Sequence, residues 1–107
     1  MFKKADNNGF TSPVEGINVK TISFGEKTLM AEFRLEKDAD LPEHTHPHEQ
    51  TGYLVSGKII LNIGEESHTV NPGDSWCIGG DVPHSAKIIE DSVAIEVFSP
   101  VREDLLP

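Results

Sequence analysis

His44-Thr45-His46-Pro47-His48-Glu49-Gln50 holds three of the five histidines in a chain of 107 residues. In an extended strand, residues two apart point the same way, so His44 and His46 present both imidazoles to one side. Neutral imidazole is the commonest nitrogen ligand of first-row metals. The pair supplies half of a metal site, and the other donors must come from elsewhere. His84 is the natural candidate, because it follows the loop Gly79-Gly80-Asp81-Val82-Pro83 at the start of a strand. His48 would extend the row, but Pro47 interrupts it, and it reads as a donor behind the ligands or as an exposed residue. His68 reads as a surface residue, and Cys77 as a small core hydrophobe. The Cys and His spacings of zinc fingers are absent.

Outward from the cluster, the chain divides into short runs separated by turns. Leu29 to Leu35 alternates with period two, Leu29, Ala31, Phe33 and Leu35 on one face and Met30, Glu32 and Arg34 on the other. Ile17 to Phe24 changes face midway, which suggests a bulge in a strand. Glu36 to Pro42 reads as a charged loop. Ser56-Gly57-Lys58 reads as a hairpin turn with Gly57 at positive φ, and Asn71-Pro72-Gly73-Asp74 as a strong turn. Ser75 to Ile78 is a short strand, and Glu90-Asp91-Ser92 turns the chain into Val93 to Phe98. Eight or nine short strands with regular turns and no convincing helix predict an all-β sandwich or barrel. The chain reads as one domain: an irregular lead-in with one short strand over 1–16, a barrel over 17–99 and a tail over 100–107.

The composition narrows the partners. Eighteen acidic residues against nine basic ones give a net charge of −9. That balance disfavours nucleic acid and anionic membrane surfaces. An anionic substrate would need a local cation, and Arg34 and Arg102 are the only arginines. One cysteine rules out an internal disulfide framework. No stretch reads as a signal peptide or approaches a membrane span, so the expected location is the cytoplasm. Apolar rows such as Ile59, Leu61 and Ile63 exceed what one small interior uses, and a homodimer is expected.

The spacing His44-x-His46-x-x-x-Gln50, then Gly57, Pro72-Gly73-Asp74 and Val82-Pro83-His84, resembles the two signature motifs of the cupin superfamily. The resemblance spans residues 29 to 99. It implies a small jelly-roll barrel in which both motifs supply the ligands of one divalent metal. By that resemblance His44, His46, Gln50 and His84 are the metal ligands, and the ion is one of Zn, Ni, Fe, Mn or Co. Gln50 stands where the family usually has glutamate. Gly79 and Ile88 replace the proline and asparagine common in the second motif. Spacing to Gly57 favours Gln50 over Glu49 as the oxygen donor, because strand neighbours face opposite ways. A neutral amide leaves the centre near its full charge and strengthens it as a Lewis acid. It also departs from the two-histidine, one-carboxylate pattern of iron oxygenases.

Val93, Ile95 and Val97 share one face of the last strand, and Ala94, Glu96 and Phe98 the other. Glu96 faces solvent if the valine face is the core; if that face packs outward, Glu96 and Phe98 enter the barrel. In the barrel, the carboxylate would serve as general acid or base, and Arg102 would hold a substrate carboxylate as a fork. The ending Glu96-Val97-Phe98-Ser99-Pro100-Val101-Arg102-Glu103-Asp104 resembles a pectin-degradation subgroup of cupins, with glutamate in place of that subgroup's aspartate. The resemblance implies conversion of cyclic unsaturated uronates to their linear keto form, with Glu96, Phe98 and Arg102 as catalytic residues. A metal-dependent dioxygenase and a non-catalytic ligand-binding or sensing barrel are the alternatives.

Overall fold

A computed structural model describes residues 1–107. It contains eight strands: β1 (Thr11–Val14), β2 (Ile17–Phe24), β3 (Leu29–Leu35), β4 (Asp40–His44), β5 (Glu49–Ile63), β6 (Glu66–Val70), β7 (Ser75–Ile78) and β8 (His84–Ser99). One 3-10 turn, Glu103–Leu105, follows them. All strand pairs are antiparallel, and the order β1-β2-β3-β8-β5-β6 has β4 beside β8 and β7 beside β5. The result is an all-β barrel of the jelly-roll type.

The two long strands, β5 and β8, are the spine. The first half of β5 pairs with β7 and with the end of β8; the second half pairs with β6 and with the start of β8. Between the halves the register shifts at Leu54, Ser56, Lys58 and Ile59. Gly57 sits there at φ 92°. Its sequence reading as a hairpin turn is corrected: the left-handed glycine makes a bulge, and the strand continues. Glu90-Asp91-Ser92 likewise bends β8 without ending it. The Ser92 hydroxyl crosses between the bulges, accepting from the Lys58 amide at 3.0 Å and donating to the Glu90 carbonyl at 2.7 Å. The expected change of face in β2 is a bulge between Thr21 and Ser23. The charged loop is shorter than expected, because Asp40 to Pro42 already belongs to β4.

The interior is filled by Ile17, Leu54, Ile59, Leu61 and Ile88, with a second cluster of Val19, Leu29, Ala31 and Phe98. Ile59 and Leu61 are therefore core residues, and their use as an argument for a dimer falls. Val93, Ile95 and Val97 lie on the outer face, beside the exposed Met30, Tyr53 and Val55. Cys77 is exposed, which corrects its reading as a core hydrophobe. In β7 the inward positions belong to Ile78 and Trp76, and strand parity turns Cys77 outward. The segment after β8 packs back: Val101 and Leu105 rest on the second cluster, and the Thr21 hydroxyl donates to the Leu105 carbonyl.

Candidate metal centre and cavity

His44 ends β4 directly opposite His84, which opens β8. His46 lies just beyond β4, in the bend leading to β5, so its side chain is placed by the bend and not by strand alternation. The rings nevertheless converge. Centroids are 4.1 Å apart for His44 and His84, 4.9 Å for His46 and His84, and 5.7 Å for His44 and His46. One ring nitrogen of each lies within 4.8 Å of the others.

The backbone sets the tautomer of all three. His44 Nδ1 donates to the Pro42 carbonyl at 2.9 Å, His46 Nδ1 to the His48 carbonyl at 3.0 Å, and His84 Nδ1 to the Val82 carbonyl at 2.8 Å. A carbonyl only accepts, so each Nδ1 carries a hydrogen, and in the neutral ring the lone pair is then on Nε2. Nε2 of His46 and of His84 is buried without a partner. Burial pushes the pKa of both imidazoles below the usual histidine value, and the Arg102 charge adds to the effect.

Gln50 is buried on the inner face of β5, whereas Glu49 is exposed. Gln50 Nε2 donates to Glu96 Oε1 at 2.6 Å. The amide oxygen is thereby turned away from the carboxylate, and it is buried without a partner. Unprotonated nitrogens and an amide oxygen with no donor to satisfy them suit a cation. A divalent metal fits this set of His44, His46, His84 and Gln50. His48 supplies the carbonyl behind His46, and its own buried Nδ1 has no partner. His68 is exposed beside Glu66.

A cavity of about 350 Å³ opens from these residues into the barrel. Its walls are mostly apolar, with polar groups from His44, Gln50, His84, Glu96, Arg102 and Asp104. Of the two faces open to Glu96, the structure has the inner one, shared with Ala94 and Phe98. Burial raises its pKa above the ordinary carboxylate value, against hydrogen bonds from Trp76 and Gln50 that lower it. Phe98 is fully buried, its ring edge-on to His46 at 5.8 Å. The Arg102 guanidinium stacks on Phe98, 4.8 Å from the ring centroid. Its expected open fork is partly taken, since Nε and Nη2 pair with the two Asp104 oxygens at 3.2 and 2.6 Å. That pairing holds the Asp104 carboxyl below its usual range.

Two residues at this site escaped the sequence reading. Trp76 donates from Nε1 to Glu96 Oε1 at 2.9 Å, and Asp104 meets Arg102. The signal for Trp76 was its parity with Ile78 on β7; for Asp104 it was the acidic pair directly after the arginine.

Comparisons with known proteins agree with the barrel fold. A cupin-domain family model matches residues 31–99. The pectin degradation protein KdgF of Dickeya dadantii strain 3937 is 30% identical over 94 residues, covering 86% of each chain. The structure of KdgF from a Halomonas species superposes with a TM-score of 0.92 at 27% identity, over 99% of this chain and 98% of that one. An RmlC-like cupin from Shewanella frigidimarina NCIMB 400 gives 0.91 at 25% identity, over 98% and 95%. With the barrel, the two motifs and these matches in agreement, the chain belongs to the cupin family and within it is similar to KdgF.

Proposed function

We propose that the protein is a metal-dependent, non-redox enzyme that opens a small cyclic sugar acid, such as an unsaturated uronate, to its linear keto form. The observation that carries this reading is the double role of Gln50. Its oxygen is left free on the side of the histidines, while its nitrogen grips Glu96, so one side chain couples the metal ligands to the carboxylate.

A divalent cation held by His44, His46, Gln50 and His84 supplies a Lewis acid for a substrate carbonyl or hydroxyl oxygen. The remaining work belongs to the chain. Ring opening with ketonisation removes a proton from a hydroxyl and returns one to carbon, with no change in the atoms of the substrate. Glu96 takes and gives that proton; burial raises its pKa towards the range where a carboxyl does both. Phe98 forms the apolar wall beside His46, and Arg102, stacked on it, anchors the substrate carboxylate at the cavity mouth. The cavity volume suits a molecule of this size. A homodimer through the outer row Val93, Ile95 and Val97 and a cytoplasmic location belong to the same reading.

The test is a substrate screen over unsaturated uronates, following loss of their ultraviolet absorbance with metal content measured by elemental analysis. Glu96→Gln is expected to lose about 10²–10⁴-fold in turnover with metal content unchanged, and His84→Ala to lose the metal. Full activity in Glu96→Gln would remove the proton-transfer role. Absence of metal from the native protein would remove the centre.

A further inference from the structure

Gly52 sits at the centre of a three-strand row. It is the register partner of Trp76 on β7 and of Glu96 on β8. All three positions face inward, in parity with Gln50, Ile78 and Phe98. A glycine inside a strand is unfavourable unless something needs the space. Here the indole takes it: a Cβ built at Gly52 would overlap Trp76 Nε1, Cε2 and Cζ2. The missing side chain is the lane through which Trp76 crosses β5 to reach Glu96.

What Trp76 does there is specific. Its Nε1 and Gln50 Nε2 donate to the same oxygen, Glu96 Oε1, at 2.9 and 2.6 Å. Oε2 accepts no hydrogen bond, yet it is not among the buried polar atoms left without one, so it stays accessible. The terminal torsion of a glutamate is broad and roughly two-fold. With only the Gln50 contact the carboxylate would turn; with two donors on one oxygen it is pinned. Trp76 does not line the cavity, so its influence on a bound molecule passes through Glu96.

We propose that Trp76 is a positioning residue that commits Glu96 Oε1 to the protein and Oε2 to the substrate, and that Gly52 exists to admit the indole. The inference rests on the reading of Glu96 as the proton-transfer group. Trp76→Phe keeps the ring and loses the donor. Its kcat is expected to fall about 10- to 100-fold, with KM within about twofold and metal content unchanged. Gly52→Ala is expected to lower kcat by a similar factor, and Gly52→Ala/Trp76→Phe to be no worse than either single change.

A second readout needs neither metal nor substrate. Trp76 is the only tryptophan, so in chelator-treated protein Glu96→Ala should shift its fluorescence emission. Native kcat in Trp76→Phe, or an unmoved emission in Glu96→Ala, overturns the inference while an inactive Glu96→Gln leaves the function standing. Losses that add fully in the double variant overturn the role of Gly52. Full activity in Glu96→Gln overturns the functional reading, and the inference falls with it.

Discussion

The candidate ligands are prepared for a cation by the Nδ1 contacts that fix the ring orientations, and His46 and His84 also by burial. For His46 and His84 the neutral state has a thermodynamic signature. Burial lowers their folded pKa below the unfolded value of 6.5. On acidification the unfolded chain therefore binds protons first, and folding stability is lost as pH falls through and below that value. Chelator-treated protein is expected to show a falling urea midpoint between about pH 7.5 and pH 5.5, and His46→Asn/His84→Asn a flatter profile. Equal slopes would contradict this. At this scale the sequence was most informative where donors sit in one short segment. His44 and His46 could be nominated from their His-x-His spacing and Gln50 from the resemblance to the cupin motif, although the bend after β4, and not strand alternation, is what aims His46. Trp76 could not, because its bond to Glu96 depends on the register of β7 and β8 against β5, and register is written in no local pattern. Glu96 itself had two possible faces, and only the position of the core chooses between them.

Single elements show where local signals mislead. The bounds of β2, β3 and β7 agree with those read from the sequence, since turn or loop residues close each run, even where a bulge interrupts the alternation of β2. In β5 and β8 the turn-like triplets Ser56-Gly57-Lys58 and Glu90-Asp91-Ser92 stand opposite each other and satisfy one another. A glycine at φ 92° signals a positive-φ position, but it does not say whether the strand stops or bulges. This gives Gly57 a structural weight that can be measured. A Cβ there would meet the Ser92 side chain and the Asp91 carbonyl, in a backbone region that L-residues resist. Gly57→Ala is expected to cost about 2–4 kcal/mol in urea unfolding. A change below about 0.5 kcal/mol would mean the bulges tolerate the strain.

For the whole molecule, the jelly-roll class was legible because many short runs with frequent turns leave few alternatives. The outer surface was not, because the apolar rows first nominated for an interface, Ile59 and Leu61, belong to the core. The face that remains is Val93, Ile95 and Val97 with Met30, Tyr53 and Val55 around them. Light scattering is expected to give about twice the chain mass of 11.7 kDa. Ile95→Glu should halve it, and a native monomer at all concentrations would exclude the dimer. The pairing of His44 with His84 across β4 and β8 has a kinetic consequence of its own. These residues are forty positions apart in the chain, and contacts of such long range form late in β-rich topologies. A partly folded chain that lacks this pairing presents no complete donor set, so a cation gains little hold before the barrel closes. It is then expected to leave the folding rate nearly untouched and to slow unfolding, which makes the ion a source of persistence for the finished protein.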